Sequence, residues 1–408
     1  MLGLGKKIFL LLNLSLIIIG VFWFLSCSKD KNNPTRWVFK LEELKDNPIT
    51  WDKKQAIVLR VTANDKIWLT DTIYAKYRGG FSSRFHKKSF SIKLNNPNGF
   101  GFTKNRVKWI LNANYIDKTF LRHVISYDLF RKMNPLNISP KCQYVEVYFN
   151  NDYKGLYVLM ERIDETKLSH ELTAESPIIW KEPKLFHQDT LYEDNPYNQK
   201  YPKEYTKNYN YLLDTVRQFL IYSPDTIFNA HVFTYFDEQS IIDWYLILLF
   251  SNNSDGLLKN FYLYKTHEEA PLSIALWDYD HSYGRDGDNE MNLISRKIDM
   301  TRNLLFKRVL KNNTHQFKEK SFNRWKQLRK ELLTKENLDE LMNNRIHEFS
   351  YALAKNDSIW PTSDTTWYYD QSTFEEEIEI MRIYFKHRLV ALDSLNDTHK
   401  KIDNKRID

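Results

Sequence analysis

The order of strand-type and helix-type segments along the 408 residues is the feature that most limits the fold. The first half carries runs rich in β-branched and aromatic residues, such as AIVLRV, KIWLTDTIYAKYRG and KSFSIKL, which are typical of strands. From residue 237 onward, apolar residues recur mostly at helical spacing, interrupted by the hairpin FYLYKTHEEAPLSIALW. The sequence therefore predicts an α+β protein with a sheet-rich N-terminal lobe, a mainly helical C-terminal lobe and a cleft between them.

Composition sets the expected boundaries of these regions. We expect the sheet-rich lobe over residues 51–164 and the helical lobe over residues 237–396. The segment between them, residues 165–236, contains clusters of Pro and Asn and is predicted to be irregular. Residues 28–50 are predicted to be a polar tether, and residues 397–408 a polar tail.

The overall composition excludes several classes of protein. Hydrophobic residues make up 42% of the chain and aromatic residues 15%, which excludes a mainly disordered chain and can supply a large core. The net charge of +7 is mild and favours anionic partners such as phosphates. No basic run is interleaved with aromatic residues, so we expect no nucleic-acid partner. Cys142 precedes a strand-like run and is expected to be a buried, inert thiol.

The N-terminus has the plan of a secretory signal. Two lysines precede an apolar run from Ile8 to Leu25, and Ser26 and Cys27 follow it. A Cys in this position predicts that residues 1–27 are a lipoprotein signal peptide and that Cys27 carries lipid. The alternative is an uncleaved membrane helix, because the run is just long enough to span a bilayer. Under either interpretation we expect the protein to be anchored in the bacterial cell envelope, with its bulk in the periplasm or at the surface.

A polar loop between an apolar helix and a hairpin carries the first candidates for chemistry. In SNNSDGLLKN, Asp255 is followed by four residues and then by Asn260. Catalytic loops of the protein-kinase type use this spacing, with the Asp as base and the Asn as metal ligand. The hairpin ends in WDYDHSYG, where Asp278 and Asp280 offer carboxylates for a magnesium ion. The alternative is that these side chains only stabilise turns and strand ends.

A basic turn with two glycines is the candidate for phosphate binding. In YRGGFSSRFHKKSFSIKL, the glycines let backbone N–H groups approach an anion, and the basic side chains supply charge. Strand parity puts Lys88 on the apolar face with Phe90 and puts Lys87 on the opposite face, which favours Lys88 as the phosphate ligand. The alternative is a basic, solvated hairpin end. The predicted nucleotide-binding residues of this turn are Arg78, Gly79, Gly80, Arg84, Lys87 and Lys88.

Taken in order, these motifs resemble the CotH kinase family of atypical protein kinases related to spore-coat protein H. The segments that carry the resemblance are YRGGFSSRFHKKSFSIKL, DKTFLRHVISYDL, VEVYFNNDYKGLYVLMERID, NNSDGLLKNFYLYK and WDYDHSYG. The resemblance implies an atypical, two-lobed protein-kinase-like fold that binds ATP with Mg²⁺ or Mn²⁺. It matches Asp255 and Asn260 to the catalytic-loop pair and Asp278 and Asp280 to the metal ligands. One departure is Gly80, where the family more often has Asn.

The resemblance implies transfer of phosphate from ATP to hydroxyl side chains of envelope or secreted proteins. Two alternatives remain, a non-catalytic surface adhesin or scaffold and a nucleotidyltransferase, because a fold does not determine function and ATP is scarce outside the cytoplasm. The set Asp255, Asn260, Asp278 and Lys88 favours the kinase, since a binding module would not need all four. Glu161 falls on the predicted interlobe strand, where it contacts nucleotide or closes a salt bridge.

Overall fold

The computed structural model describes residues 33–45, 47–189, 196–285, 297–361 and 372–404, with side chains described up to residue 394. The predicted signal peptide and the lipidation site Cys27 lie outside these residues. Within the described ranges, no helix combines the length and the apolar composition that crossing a membrane requires.

Seven strands close into a barrel in the spatial order β1-β2-β3-β4-β5-β7-β6. Neighbouring strands are antiparallel except at the closure, where β1 runs parallel to β6 and Val38 lies opposite Glu146. The interior holds a separate apolar core that includes Phe39, Leu59 and Trp109. The strands are β1 Trp37–Glu43, β2 Gln55–Ala63, β3 Lys66–Arg78, β4 Ser89–Asn98, β5 Arg106–Asn112, β6 Cys142–Phe149 and β7 Asp152–Glu161.

The barrel begins earlier than composition predicts. Residues 28–50 are predicted to be a tether, but residues 37–43 form β1. Trp37, Phe39 and Leu41 alternate along this strand and are buried in the barrel core. The two-residue period of a strand therefore outweighs the polar composition of the flanking sequence, and the tether prediction is wrong for these residues.

Helices dominate the chain outside the barrel, together with a four-stranded sheet in the order β11-β10-β8-β9. The strands of this sheet are β8 Ile178–Lys181, β9 Gln199–Tyr201, β10 Phe261–Lys265 and β11 Ser273–Leu276. The helices are α1 Arg122–Met133, α2 Glu165–Leu172, α3 Asn210–Tyr222, α4 Asp225–Tyr235, α5 Glu238–Ser251, α6 Leu304–Asn312, α7 Phe317–Glu331, α8 Lys335–Phe349, α9 Leu353–Asp357 and α10 Phe374–Asn404.

Residues 165–236 are not the irregular segment that the sequence predicts. Most of their described part lies in α2, β8, β9, α3 and α4. The described Pro and Asn residues of the cluster that suggested irregularity lie between elements instead; Pro196 and Asn198 precede β9, and Pro202 directly follows it. Pro is tolerated outside a strand because its nitrogen has no hydrogen to donate to the sheet. The predicted polar tail is also shorter, since the backbone of α10 continues to Asn404.

Helix α1 connects the barrel to the helical part. Nearly all of its 12 residues are buried. It shares one continuous apolar core with α5, with the β10–β11 hairpin and with outer-face barrel residues such as Ile110 and Val158. Cys142 belongs to the same core, and burial raises the pKa of its thiol to about 12, as expected for an inert thiol. The chain is thus a mixed α+β protein with a sheet-rich first part and a helical second part.

Candidate active site

A cavity of about 460 Å³ lies where the β3–β4 turn of the barrel meets the β10–β11 hairpin. Its lining combines carboxylates, amides and cations, so a charged ligand fits it better than an apolar one. The residues that line the cavity include Arg78, Gly79, Gly80, Lys87, Ser89, Asn114, His123, Lys181, Asp255, Lys259, Asn260, Trp277, Asp278 and Asp280.

The three predicted metal ligands, Asn260, Asp278 and Asp280, lie together in this lining, at the two ends of the hairpin. The Asn260 side chain donates from Nδ2 to the carbonyl oxygen of Asp278 at 2.8 Å. The Trp277 N–H donates to the carbonyl oxygen of Asn260 at 3.2 Å. These contacts hold the loop before β10 against the segment after β11, which also carries Asp280. The Asn260 contact uses Nδ2, and it therefore leaves Oδ1 as the candidate ligand atom.

His123 is not singled out by the sequence motifs, but its side chain lies beside the carboxylates of Asp278 and Asp280. Ligand atoms of His123, Asp278 and Asp280 lie within 4.8 Å of one another. His123 Nε2 is 3.8 Å from Asp278 Oδ1. Because His123 lies on α1, far from the hairpin in sequence, no local motif could have indicated this proximity.

The electrostatic surroundings of Asp278 favour a neighbouring cation. Desolvation by the surrounding protein and the Asp280 carboxylate raise the pKa of Asp278, although 52% of its side chain is exposed. The nearby cations Arg78 and Lys181 act in the opposite direction but do not outweigh these two effects. Nearby cations therefore compensate the negative charge of the two adjacent carboxylates only in part, and a further cation would be attracted to them.

Asp255 lies at the start of a short 3₁₀ turn that follows α5. The helix ends at Asn252, whose backbone is left-handed with a φ of 55°. Asn253 Oδ1 then accepts a hydrogen bond from the Gly256 N–H at 2.9 Å. These contacts fix the loop at the edge of the cavity, where Asp255 Oδ2 forms an ion pair with Lys259 Nζ at 3.0 Å. Lys259 lies inside the predicted catalytic loop but is not among the residues that its spacing indicates.

The glycine turn of the barrel forms another wall of the cavity. Gly79 has a φ of +135°, and a Cβ there would lie 2.4 Å from Ser82 Oγ, so glycine is required at this position. Gly80 also lines the cavity. Arg84 is not among the lining residues; its guanidinium lies 5.1 Å from the centre of the Phe81 ring.

Two cations contact one tryptophan in the cavity wall. The Arg78 guanidinium and the Lys181 ammonium each lie 5.8 Å from the centre of the Trp277 ring. Burial lowers the pKa of Arg78, and the nearby Asp278 carboxylate opposes that shift. Both cations stay close to the carboxylates of the hairpin, where they can contact an anionic ligand.

Lys87, and not Lys88, lines the cavity. Lys88 Nζ instead donates to the carbonyl oxygens of Ser83 and Phe85 at 2.9 and 2.6 Å. Lys87 is buried, and its Nζ donates to the Leu156 carbonyl oxygen at 2.5 Å. The prediction that favoured Lys88 as the lysine of this site is therefore wrong.

Lys87 lines the cavity and Lys88 does not because the sheet closes into a barrel. Strand parity correctly separates the two lysines, but the apolar face that holds Phe90 is the inside of the barrel. The cavity lies against the other face, which carries Ser89. Burial lowers the pKa of Lys87 well below its usual value, and the rings of Phe120 and Tyr157 lie 5.0 and 4.7 Å from its Nζ.

Glu161 does not line the cavity and takes part in a buried ion-pair network. Its carboxylate contacts Lys167 Nζ, and Oε1 lies 3.4 Å from Arg106 NH1. Burial works to raise its pKa, but Lys167 and Arg106 outweigh burial and hold the pKa of Glu161 at about 2. Of the two roles left open by the sequence, the structure supports the salt bridge.

Asn114 is a further polar residue that the sequence analysis misses. It is 6% exposed, has a left-handed φ of 47° and lines the cavity. Among the described residues, its buried Nδ2 has no hydrogen-bond acceptor, and Asn112 donates to its Oδ1 at 2.7 Å. A buried donor without an acceptor is costly, so a ligand acceptor at this position would stabilise it.

Together, the barrel, the helical part and the cavity define an α+β protein with a polar, charged site where its two parts meet. The profile of the family described as CotH kinase protein matches residues 75–392. This is more than half of the chain, and the protein therefore belongs to the CotH kinase family.

One curated relative is the inner spore coat protein H of Bacillus subtilis (strain 168). It is 27% identical over 223 residues, which cover 52% of this chain and 58% of that protein. The match thus spans little more than half of the relative's length, and the family resemblance expected from the ordered motifs is confirmed.

Proposed function

We propose that this protein is a metal-dependent atypical protein kinase that transfers phosphate from ATP to hydroxyl side chains of envelope or secreted proteins. The observation that carries the proposal is the convergence of Asp255, Asn260 and Asp278 on one cavity beside the glycine turn. Catalysis of phosphoryl transfer depends mainly on positioning and on charge compensation, and the cavity offers groups for both. Membership of the CotH kinase family supports the same reaction class.

The donor set of the cavity fits a hard divalent cation. Asp278 and Asp280 offer carboxylate oxygens and Asn260 offers an amide oxygen, which are the ligand types that Mg²⁺ and Mn²⁺ prefer. We propose these three residues as the ligands that hold the ion. A bound Mg²⁺ or Mn²⁺ would offset the negative charge of the nucleotide phosphates.

The cations of the cavity are proposed to bind the phosphates of ATP. Arg78 and Lys181 both lie near the Trp277 ring, close to the proposed metal ligands. Lys87 lines the same cavity, and its buried ammonium gains stability from a nearby anion. Gly79 allows the backbone of the turn to approach a phosphate closely.

Asp255 is the proposed general base. Its carboxylate at the cavity edge is 32% exposed, so an incoming hydroxyl group can reach it and transfer its proton. Lys259 Nζ, 3.0 Å away, can contact the transferred phosphoryl group while Asp255 holds that proton.

We further propose that the barrel and the helical part are the two lobes of a kinase-like fold. The chain order supports this assignment, because α5, the Asp255 loop, the β10–β11 hairpin and Asp278 follow one another as a kinase catalytic loop and metal motif do. The position of the cavity at the boundary of the two parts supports it as well.

The N-terminal sequence and the relative named as a spore coat protein support an envelope location. We propose that lipid on Cys27 anchors the protein to a membrane of the cell envelope. Its substrates would then be proteins of the envelope or proteins that pass through it during secretion.

Mass spectrometry of the purified full-length protein, incubated with ATP and Mg²⁺ or Mn²⁺, tests the proposed reaction. The kinase proposal predicts a mass gain of one phosphate on the protein itself or on added envelope proteins. A gain of AMP would assign nucleotidyl transfer instead. If neither mass gain occurs, a separate titration with nucleotide distinguishes the remaining alternatives. Nucleotide binding without transfer would favour a pseudokinase, and the absence of nucleotide binding would favour a surface scaffold.

A further inference from the structure

Two aromatic side chains of α1 hold the backbone that carries the proposed metal ligand Asp278. The Asp278 N–H donates to Tyr127 Oη at 3.0 Å, and the Tyr279 N–H donates to His123 Nδ1 at 2.8 Å. His123 and Tyr127 lie one helical turn apart, and their rings stack with centres 5.8 Å apart and planes 21° apart. Both are almost completely buried. These residues form a clamp on two successive peptide groups.

The clamped backbone is in an unfavourable conformation. Asp278 has a φ of 58°, in the left-handed region that residues with a Cβ adopt rarely. Such a conformation persists only where neighbouring groups enforce it, and it is common at functional sites. Here Tyr127, His123 and Asn260 each hydrogen-bond the backbone of residues 278–279.

The hydrogen bond from Tyr279 assigns the tautomer of His123. A nitrogen that accepts a hydrogen bond carries no proton, so the proton of the neutral ring lies on Nε2. Nε2 is the ring nitrogen that faces Asp278 Oδ1 at 3.8 Å. A protonated nitrogen has no free lone pair for a metal ion. The proximity of His123, Asp278 and Asp280 therefore does not make His123 a ligand.

We propose that His123 is a positioning residue that holds Asp278 through Nδ1 and presents Nε2–H as a hydrogen-bond donor, leaving the metal site with oxygen ligands alone. The statement about the metal rests on the proposed function, whereas the tautomer does not. An all-oxygen set suits Mg²⁺ or Mn²⁺, while a histidine nitrogen would favour zinc, copper, iron or nickel. His123 thereby contributes to the choice of metal without contacting it.

Two substitutions separate positioning from ligation. In Asn the terminal atoms lie two bonds from Cβ, as Nδ1 does, and in Gln they lie three bonds away, as Nε2 does. His123→Asn therefore keeps an acceptor for the Tyr279 N–H but removes the donor that faces Asp278. His123→Gln keeps a polar atom near the Nε2 position but loses that acceptor.

The first measurement uses ¹⁵N NMR of the full-length, metal-free protein labelled in histidine. The ring signals lost in His123→Asn, and retained in His281→Asn as a control at the same cavity, belong to His123. Tyr127→Phe, which keeps the stacked ring, gives a second assignment if His123→Asn does not fold. We expect a protonated Nε2 and an unprotonated Nδ1. The opposite tautomer would overturn the proposal.

The second measurement titrates Mn²⁺ in the presence of ATP and follows the free ion by electron paramagnetic resonance. We expect His123→Asn to retain the wild-type affinity and His123→Gln to lose it on the order of 10-fold, as is typical when a partner that orients a ligand is removed. The reverse order would make His123 a ligand and overturn the proposal. If wild type binds no Mn²⁺, the proposed function fails, and the NMR result alone decides the role of His123.

Discussion

The side chain of Asn260 hydrogen-bonds the backbone of Asp278 across the two ends of one hairpin, with 2.8 Å between Nδ2 and the carbonyl oxygen. Both residues have left-handed backbones, with φ values of 56° and 58°. Asn and Asp tolerate this region better than most residues with a Cβ. The bond joins the catalytic-loop candidate to the metal-ligand candidate, so that the two ends of one hairpin form one wall of the site.

Asp278→Asn should remove the stabilisation of the protein by Mg-ATP while leaving the fold intact. Asn keeps the shape of the side chain and tolerates the left-handed backbone, but it lacks the negative charge with which the Asp278 carboxylate would attract a divalent cation. Thermal unfolding with and without Mg-ATP measures the effect, and Asp152→Asn, at an exposed position in the barrel, is the control. Full nucleotide-induced stabilisation in Asp278→Asn would exclude Asp278 as a metal ligand.

Lys87→Met and Lys88→Met should differ although the two residues are adjacent. Lys87 lines the cavity, so its loss should weaken ATP binding by about 10-fold, or roughly 1.4 kcal/mol. Lys88 does not line the cavity and bonds to the backbone of the β3–β4 turn, so its loss should change affinity by less than about twofold. Calorimetric titration of both variants with Mg-ATP checks this order. Equal losses would contradict the assignment of Lys87 to the site.

These lysines illustrate what the sequence could predict. Periodicity identified the strand and separated the faces of Lys87 and Lys88, because side chains alternate along any strand. It could not identify which face meets the cavity, because that depends on β1 pairing with β6 to close the barrel. Pairing between strands that are far apart in sequence is a tertiary contact, and it leaves no pattern in the sequence around the two lysines.

For the polar residues of the site, too, the sequence indicated those that lie close together along the chain and not those that only the fold brings together. Asp255, Asn260, Asp278 and Asp280 were identifiable because they lie close together in sequence, around one hairpin. His123 reaches the same cavity from α1 and could not be found by spacing. Conversely, Glu161 looked similar in sequence to a site residue, but Lys167 and Arg106 neutralise it inside a separate ion-pair network.

Glu377→Gln should destabilise the protein, and the effect should depend on pH. Glu377 pairs with Arg122 at 2.9 Å and with Arg285 at 2.5 Å, and these cations hold its pKa at about 2 although burial works to raise it. A lowered pKa in the folded state contributes stability that is full above the ordinary pKa of 4.5 and is lost as the pH falls toward 2.

We therefore expect wild type to exceed Glu377→Gln by roughly 3 kcal/mol in free energy of unfolding at pH 7 and by clearly less at pH 3. Urea unfolding at both pH values measures the difference between the two proteins. Glu375→Gln, at an exposed position on the same helical turn, is the control. A difference that does not shrink at pH 3 would contradict the assigned ion pairs.

Cys27→Ser should abolish lipid attachment. If Cys27 is the first residue of the mature protein, the variant should accumulate as an unprocessed precursor or be released in soluble form. Cell fractionation combined with mass analysis of the N-terminus distinguishes these outcomes. Unchanged membrane association with an intact N-terminus in wild type would support the uncleaved membrane helix instead.

Asp255→Asn and Asn260→Ala together test the central claim that this cavity performs phosphoryl transfer. A base acts on the chemical step, so Asp255→Asn should lower transfer on the order of 100-fold or more while affinity for Mg-ATP stays within about twofold. Asn260→Ala removes a proposed metal ligand and the bond to Asp278, so it should lose both transfer and affinity.

The most direct measurement is a calorimetric titration with Mg-ATP beside a phosphate-transfer assay, on wild type and both variants. We expect wild type to bind and transfer, Asp255→Asn to bind without transferring, and Asn260→Ala to do neither well. Wild type that binds no nucleotide with Mg²⁺ or Mn²⁺, or an Asp255→Asn variant that transfers at the wild-type rate, would contradict phosphoryl transfer at this cavity.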